Sequence, residues 1–521
     1  MQSIPQLLAD LQAKGIVLSL ADGALTYRAP KGALTPKDRE TLSTNRKAVI
    51  DYLSALAARL KSPIKIEKAT HPMPSVLQEI WWNWYGLPDR QLNQERLPMV
   101  KLYHNTSYAI LETAIQQFIT RHDTLRTSFH EAHGQLQVTF NAPETFSIEQ
   151  EIYKPISSDI ETETQLRAMA AAFSEKQLPL DGKWLIRAKI ISISQSDFLL
   201  LFVFHHIIVD AASLMLIIAE LDNLITSDSP LSLPPPVAQF TDYAQWEREW
   251  LGNTKCQPLL EYWAQRLQHQ SALLAPDSKQ VLSWRPGVKI DYQFSFDSKV
   301  LNKINAYAIE QKTSLFNVIL TVFGITLARW SGVARFPIRC IGDLRTSPAL
   351  APIIGYLVCS DLVEISVPPE IDFRSMLKSN EIEYHSSLML RVPTLLRHPL
   401  HDEGEGVEDP RHIATTINMF SIRQPAAGSK QTATSWPPKV TRSSGEPWPI
   451  LLPSIYLRLL DYGDVLQVSL ELNDQQLTPD EQKALLDTFF DTVAEFLLTQ
   501  NSTEITDSIA GQSRHKVLVN T

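Results

Sequence analysis

The chain has 521 residues, of which 44% are hydrophobic and 20% charged, with a formal net charge of -9. That length exceeds one ordinary core and predicts two to four folding units. The acidic balance argues against a general nucleic-acid binder, whose footprint is basic. Three widely spaced cysteines (Cys256, Cys340, Cys359) form neither a disulfide framework nor a zinc pattern. The start carries no charged-then-apolar secretory signal, and the apolar runs FLLLFVF and LMLIIA fall far short of a membrane span. A soluble cytoplasmic protein is the expectation.

Residues 1–60 read as a small separate module. SIPQLLADLQAKG places Ile4, Leu7, Leu8 and Leu11 at helical spacing and stops at Gly15. IVLSLADGALTYRAP then alternates around Asp22-Gly23, a strong hairpin signal. TPKDRETLSTNRKAVIDYLSAL opens with Thr35 as cap, Pro36 at the first helical position and Glu40 as the first-turn acid. The module holds eight Lys/Arg against five Asp/Glu, about +3, leaving about -12 for the remainder.

A charged, proline-bearing linker at 61–72 leads into a body that alternates helical and strand patterns. AILETAIQQFITRH reads as a helix, LIRAKIISIS and FLLLFVFHH as strands, and SLMLIIAELDNLI as a helix. A second set begins near residue 275. It comprises the strand VKIDYQFSF, the helix TSLFNVILTVFGITLARWSG, the strands FPIRCIG, IATTINMF and VLQVSLELN, and the helix TPDEQKALLDTFFDTVAEFLLT. The expected architecture is α+β, with two lobes at 73–274 and 275–500 and a polar tail at 501–521.

FVFHHIIVDAAS (Phe202–Ser213) concentrates the chemistry. The apolar run predicts a buried strand, and His205 and His206, being consecutive, point to opposite sides of extended backbone. Asp210 stands where a strand-to-helix turn begins, placed to cap the helix or to pair with a cation. The plain reading is a strand end with core histidines and a cap; the sharper one is an active site. A metal site is the weakest of the three, since no other His or Cys lies nearby.

HHIIVDA resembles the HHxxxDG motif of the condensation domains of nonribosomal peptide synthetases, in the chloramphenicol acetyltransferase-like superfamily. Other motifs of that family follow the same order: PSVLQEIWW (Pro74–Trp82), RHDTLRTSF (Arg121–Phe129), FTDYAQWEREW (Phe240–Trp250) and IGDLRTSPALAPIIGYLV (Ile341–Val358). HPLHDEGEGVEDP is a poor match to the seventh. The resemblance covers about residues 70 to 500. It implies two acetyltransferase-like lobes in a V-shaped pseudo-dimer, with the site in a tunnel that phosphopantetheine arms of carrier proteins enter. Within it, His206 matches the catalytic histidine, His205 the more structural one, Asp210 the aspartate that props the loop and Arg345 its partner. A buried aspartate calls for a cation, and arginine offers a planar bidentate fork. The resemblance leaves open whether His206 is a general base or positions the nucleophile and stabilises the tetrahedral intermediate. Ala211 departs from the family's usual glycine.

The first module is similar to TubC-type β-hairpin docking domains, which implies capture of a short acidic tail from an upstream synthase as an added strand. Lys14, Arg28 and Lys31 surround the hairpin and are the candidate contacts. The expected function is that of a standalone condensation enzyme. It would move an acyl or peptidyl group from an upstream carrier-protein thioester to an amine or hydroxyl nucleophile, forming an amide or ester in nonribosomal peptide or hybrid polyketide biosynthesis, with chain release as one form of that step. The acceptor is another carrier protein or a free small molecule. No cofactor or metal is expected on the chain itself, and no nucleic-acid or membrane partner. An epimerase-type relative and a non-catalytic recruitment platform are the alternatives.

Overall fold

The computed structural model describes residues 16–21, 24–28, 34–51, 66–85, 96–154, 159–226, 233–252, 272–392, 413–421 and 450–498, apart from a few single positions, together with isolated residues such as Leu7, Leu11, Trp263 and Ser435-Trp436. Lys14, Lys31, residues 61–65 of the linker, the HPLHDEGEGVEDP stretch and the 501–521 tail lie outside the described residues.

The first module pairs β1 (Val17–Ala21) with β2 (Ala24–Arg28) antiparallel, Ala21 opposite Ala24. Leu7, Leu11, Ile16, Leu42 and Val49 form its core, the positions at which the helical and alternating patterns place apolar side chains. Helix α1 (Pro36–Thr44) starts at Thr35, whose hydroxyl accepts the Asp38 N–H while the Asp38 carboxylate accepts the Thr35 N–H. The capping acid is thus Asp38, three residues past the cap and within reach, whereas Glu40 is exposed two residues further on.

In the first lobe, α2 (Val76–Tyr85) precedes β3 (Arg96–Tyr103), α3 (Tyr108–Arg121), the hairpin β4 (Thr127–Ala132) and β5 (Gln135–Phe140), β6 (Ile148–Ile152), α4 (Asp159–Glu175), β7 (Ile186–Ser192), β8 (Phe198–His205), α5 (Ala211–Thr226) and α6 (Phe240–Leu251). Strand β8 lies between β3 and β7, antiparallel to both. Its even-numbered Phe198, Leu200, Phe202 and Phe204 pack with α3 and α5, and its odd-numbered Leu199, Leu201 and Val203 with α4. Helices on both faces are why this strand reads as an unbroken apolar run.

The second lobe contains β9 (Arg285–Gly287), β10 (Lys289–Phe296), α7 (Ser298–Glu310), α8 (Leu315–Ser331), β11 (Arg335–Asp343), β12 (Val358–Ser366), α9 (Phe373–Met389), β13 (Thr415–Ser421), β14 (Ser435–Trp436), β15 (Ile450–Leu452), β16 (Ile455–Asp461), β17 (Leu466–Asn473) and α10 (Pro479–Leu498). Its sheet runs β10-β17-β16-β13-β11-β12. Helix α8 is buried along most of its length and ends at Gly332, whose φ of 74° is the left-handed conformation that a helix stop favours.

Two segments beyond residue 275 join the first lobe. β14 adds to the edge of its sheet, pairing with Val100 and Lys101 of β3. Leu344, Leu350, Ile353, Ile354, Tyr356, Leu357 and Cys359 belong to the first lobe's main core. No single helix among the described residues is long and apolar enough to cross a membrane.

Candidate active site

Strand β8 delivers the histidine pair. His205 is fully buried; its N–H donates to Leu185 O at 2.8 Å, and its Nδ1 accepts the Ile207 N–H at 3.1 Å. A neutral His205 ring therefore carries its proton on Nε2. His206 is half-buried, with Nδ1 2.8 Å from Val209 O. A carbonyl only accepts, so Nδ1 holds the proton and the lone pair of the neutral ring sits on Nε2. The backbone thus sets two adjacent imidazoles in opposite tautomers. Tyr356 packs edge-on against the His206 ring at 5.0 Å between centroids.

Asp210 caps α5 and pairs with a cation at the same time. Oδ1 accepts the Ser213 N–H and lies at hydroxyl-bonding distance from Ser213 Oγ, both at 2.8 Å. Oδ2 accepts Arg345 Nη1 at 2.9 Å and the Leu357 N–H at 2.8 Å. Four donors converge on a carboxylate that is 2% exposed, an arrangement of a strut rather than a proton acceptor. The arginine contact is not the two-oxygen fork expected from the sequence. Arg345 spends Nη1 on Asp210 and Asp343, Nη2 on Ser213 Oγ and Gly355 O, and Nε on Ile353 O. Ser213 occupies the second place in the fork because it sits one helical turn from the cap.

Ala211 opens α5. Among the described residues, the non-glycine positions with positive φ are Asn105, His133, Lys279 and Lys312, so the backbone at Ala211 does not require glycine.

The remaining motifs back this loop. Gln78 Nε2 on α2 donates to Ile207 O at 3.0 Å, and Thr124 Oγ donates to Ile208 O at 2.8 Å. Glu247 on α6 accepts the Val76 N–H at 2.8 Å and the Tyr243 hydroxyl at 2.9 Å, holding the start of α2. Burial pushes the Glu247 carboxyl up to about 7, outweighing the lowering by those donors. Burial likewise pushes Asp123 up to about 6, with the Thr241 N–H and hydroxyl as its donors. A methyl built at Gly355 would lie 2.0 Å from Phe240 Cδ2, so the leading ring of FTDYAQWEREW needs the glycine of IGDLRTSPALAPIIGYLV.

The structure thus brings His205, His206, Asp210, Ala211 and Arg345 together at one strand–loop–helix junction. Gln78, Thr124, Ser213, Gly355 and Tyr356 lie within the motifs or beside them but carried no predicted role. Only Ser213 had a readable signal, the Asp-x-x-Ser cap spacing. Of the hairpin cations, Arg28 closes β2.

The condensation-domain family model matches residues 96–388, more than half of the chain. The chain belongs to the condensation-domain family. Residues 4–54 match the TubC N-terminal docking domain. A solved structure described as the molecular basis for condensation domain-mediated chain release from the enacyloxin polyketide synthase is 53% identical, with a TM-score of 0.81, covering 96% of this chain and 98% of that one. The cyclization-docking bidomain of the EpoB synthetase from Sorangium cellulosum shares the fold at 17% identity, with a TM-score of 0.60 over 94% and 98% of the two chains. Malpinin synthetase of Mortierella alpina is 25% identical over 59% of this chain, and the match spans 4% of that protein's length. Condensation domains are acyltransferases that form amide or ester bonds from substrates carried on phosphopantetheine arms, and with a docking domain in front they work with carrier-protein or synthase partners.

Proposed function

We propose that this condensation domain releases an acyl or polyketide-derived chain from an upstream carrier protein by transferring it to a hydroxyl or amine nucleophile. The observation that carries the reading is the His206 ring: its Nδ1–H is committed to Val209 O, which leaves the basic lone pair on Nε2. The 53% identity to a chain-release condensation domain, over nearly the whole of both chains, supports release over elongation.

The nucleophile gives its proton to Nε2 of His206 as its oxygen or nitrogen attacks the thioester carbonyl carbon. The tetrahedral intermediate collapses, the C–S bond breaks, and the imidazolium returns the proton to the phosphopantetheine sulfur. The ester or amide leaves with the nucleophile. Asp210 and Arg345 hold the loop and stay outside proton transfer, and His205 orients the strand end. Lys14, Arg28 and Lys31 in the docking module greet an acidic tail of the upstream synthase.

The test is to incubate an acyl-carrier thioester with candidate alcohols and amines and to follow the carrier by intact-protein mass spectrometry. Loss of the acyl mass with a new ester or amide is the expected result. Deuterium uptake into a retained acyl group would point to epimerisation, and an unchanged carrier to a recruitment platform; either overturns the proposal.

A further inference from the structure

We infer that Gln78 and Thr124 are positioning residues for the transfer reaction, setting the His206 ring through the carbonyls of the two residues that follow it. Three successive loop carbonyls each receive one side-chain donor: Ile207 O from Gln78, Ile208 O from Thr124 and Val209 O from His206 itself. The first two donors come from different elements, 129 and 84 positions away in sequence. Both are 2% exposed. Together they fix the peptide planes on which the third bond, and with it the tautomer and aim of His206, depends.

Gln78 has one allowed amide orientation. Its Oε1 accepts the Ser75 N–H at 3.0 Å, so the nitrogen must face Ile207 O. Its helix is tied down in turn, because Glu247 accepts the N–H of Val76. A site geometry displaced by about an ångström costs on the order of a hundredfold in rate, and these two bonds oppose that displacement. The inference rests on the reading of His206 as the proton acceptor.

The experiment uses the full chain with an acyl-carrier thioester donor. Gln78→Glu, assayed above about pH 9 so that the buried carboxyl is ionised, keeps an acceptor for the Ser75 N–H and removes the donor to Ile207 O. Thr124→Val keeps the shape and removes the hydroxyl, while Thr124→Ser keeps the hydroxyl. We expect Gln78→Glu and Thr124→Val each to lower kcat roughly tenfold to a hundredfold with KM changed less than about twofold, and Thr124→Ser to stay within about threefold of the parent. In 15N-histidine spectra, with the signal assigned through His206→Gln, the Nδ1–H tautomer of the parent should give way to a mixture in both donor-less variants. If Gln78→Glu does not fold, the Thr124 pair decides alone.

Equal losses in Thr124→Val and Thr124→Ser, or a His206 ring signal unchanged by Thr124→Val, would overturn the inference. The spectra need no turnover, so the two readings fail separately. Full activity in His206→Ala removes the proton-acceptor role, whereas an inactive His206→Ala beside an unchanged ring signal in Thr124→Val removes the positioning role alone.

Discussion

The pair of histidines shows how much one hydrogen bond decides. Residue type is the same at 205 and 206, and each ring uses Nδ1 to meet the backbone. At His205 the backbone partner is an N–H, at His206 a carbonyl, and the tautomers follow from that difference. We expect His206→Ala to lower product formation at least about a hundredfold, in line with a general acid–base contribution; a folded variant with near-parental turnover in the carrier mass assay would exclude it. Asp210→Ala should cost about 3 kcal/mol, because the guanidinium of Arg345, whose side chain is only 6% exposed, loses its buried counter-charge and keeps only the more exposed Asp343. A denaturation midpoint equal to the parent's would contradict the strut role. The histidine, the aspartate and its distant arginine were legible as residues through the motif order. The sharing of Arg345 between Asp210 and Ser213 was not, since a motif records which residues recur and not which oxygen each nitrogen meets.

At the scale of elements, patterning succeeded where one environment covers a whole segment. β8 and α8 are sheathed on nearly all sides, so their apolar runs were plain. β3 gives no clear strand signal, because it carries Pro98 and the buried Lys101 in an eight-residue strand. Among the described residues β14 pairs with Val100 and Lys101 of this strand, two and three positions beyond its proline. α9 carries a polar, weakly periodic sequence that gives no clear helical stripe. Between α6 and α2 the buried Glu247 makes a pH-dependent link. Its folded carboxyl titrates near 7 against about 4.5 unfolded, so the folded state binds the proton more tightly. Stability from this group is full at low pH, falls as pH rises between those values, and stays reduced above them. Glu247→Gln, which can still accept from Val76 and donate to the Tyr243 oxygen, should remove that slope. We expect the variant to gain on the parent, by on the order of 3 kcal/mol, between about pH 5 and pH 8 in urea titrations. Parallel stability profiles would show that Glu247 ionises normally.

For the molecule as a whole, the docking module and the condensation body divide charge unequally, about +3 in residues 1–60 against about -12 beyond. On the proposed capture of an acidic tail, a basic module in front of an acidic body would attract that tail where the body repels it. Deleting residues 1–60 should raise KM for a carrier bearing its native tail by on the order of tenfold at low salt, with kcat nearly unchanged and the difference shrinking as salt rises. Identical KM values for the two forms across salt concentrations would remove the module from substrate delivery.

The crossing of β14 and of residues 344–359 into the first lobe bears on how such enzymes can be recombined. A hybrid joined near residue 275 would import not only a foreign second lobe but seven side chains of the first lobe's interior and the arginine that steadies its histidine loop. Inheritance in this protein therefore follows spatial contact rather than chain order. A functional graft would exchange the body whole, or carry the 344–359 segment together with the first lobe it fills.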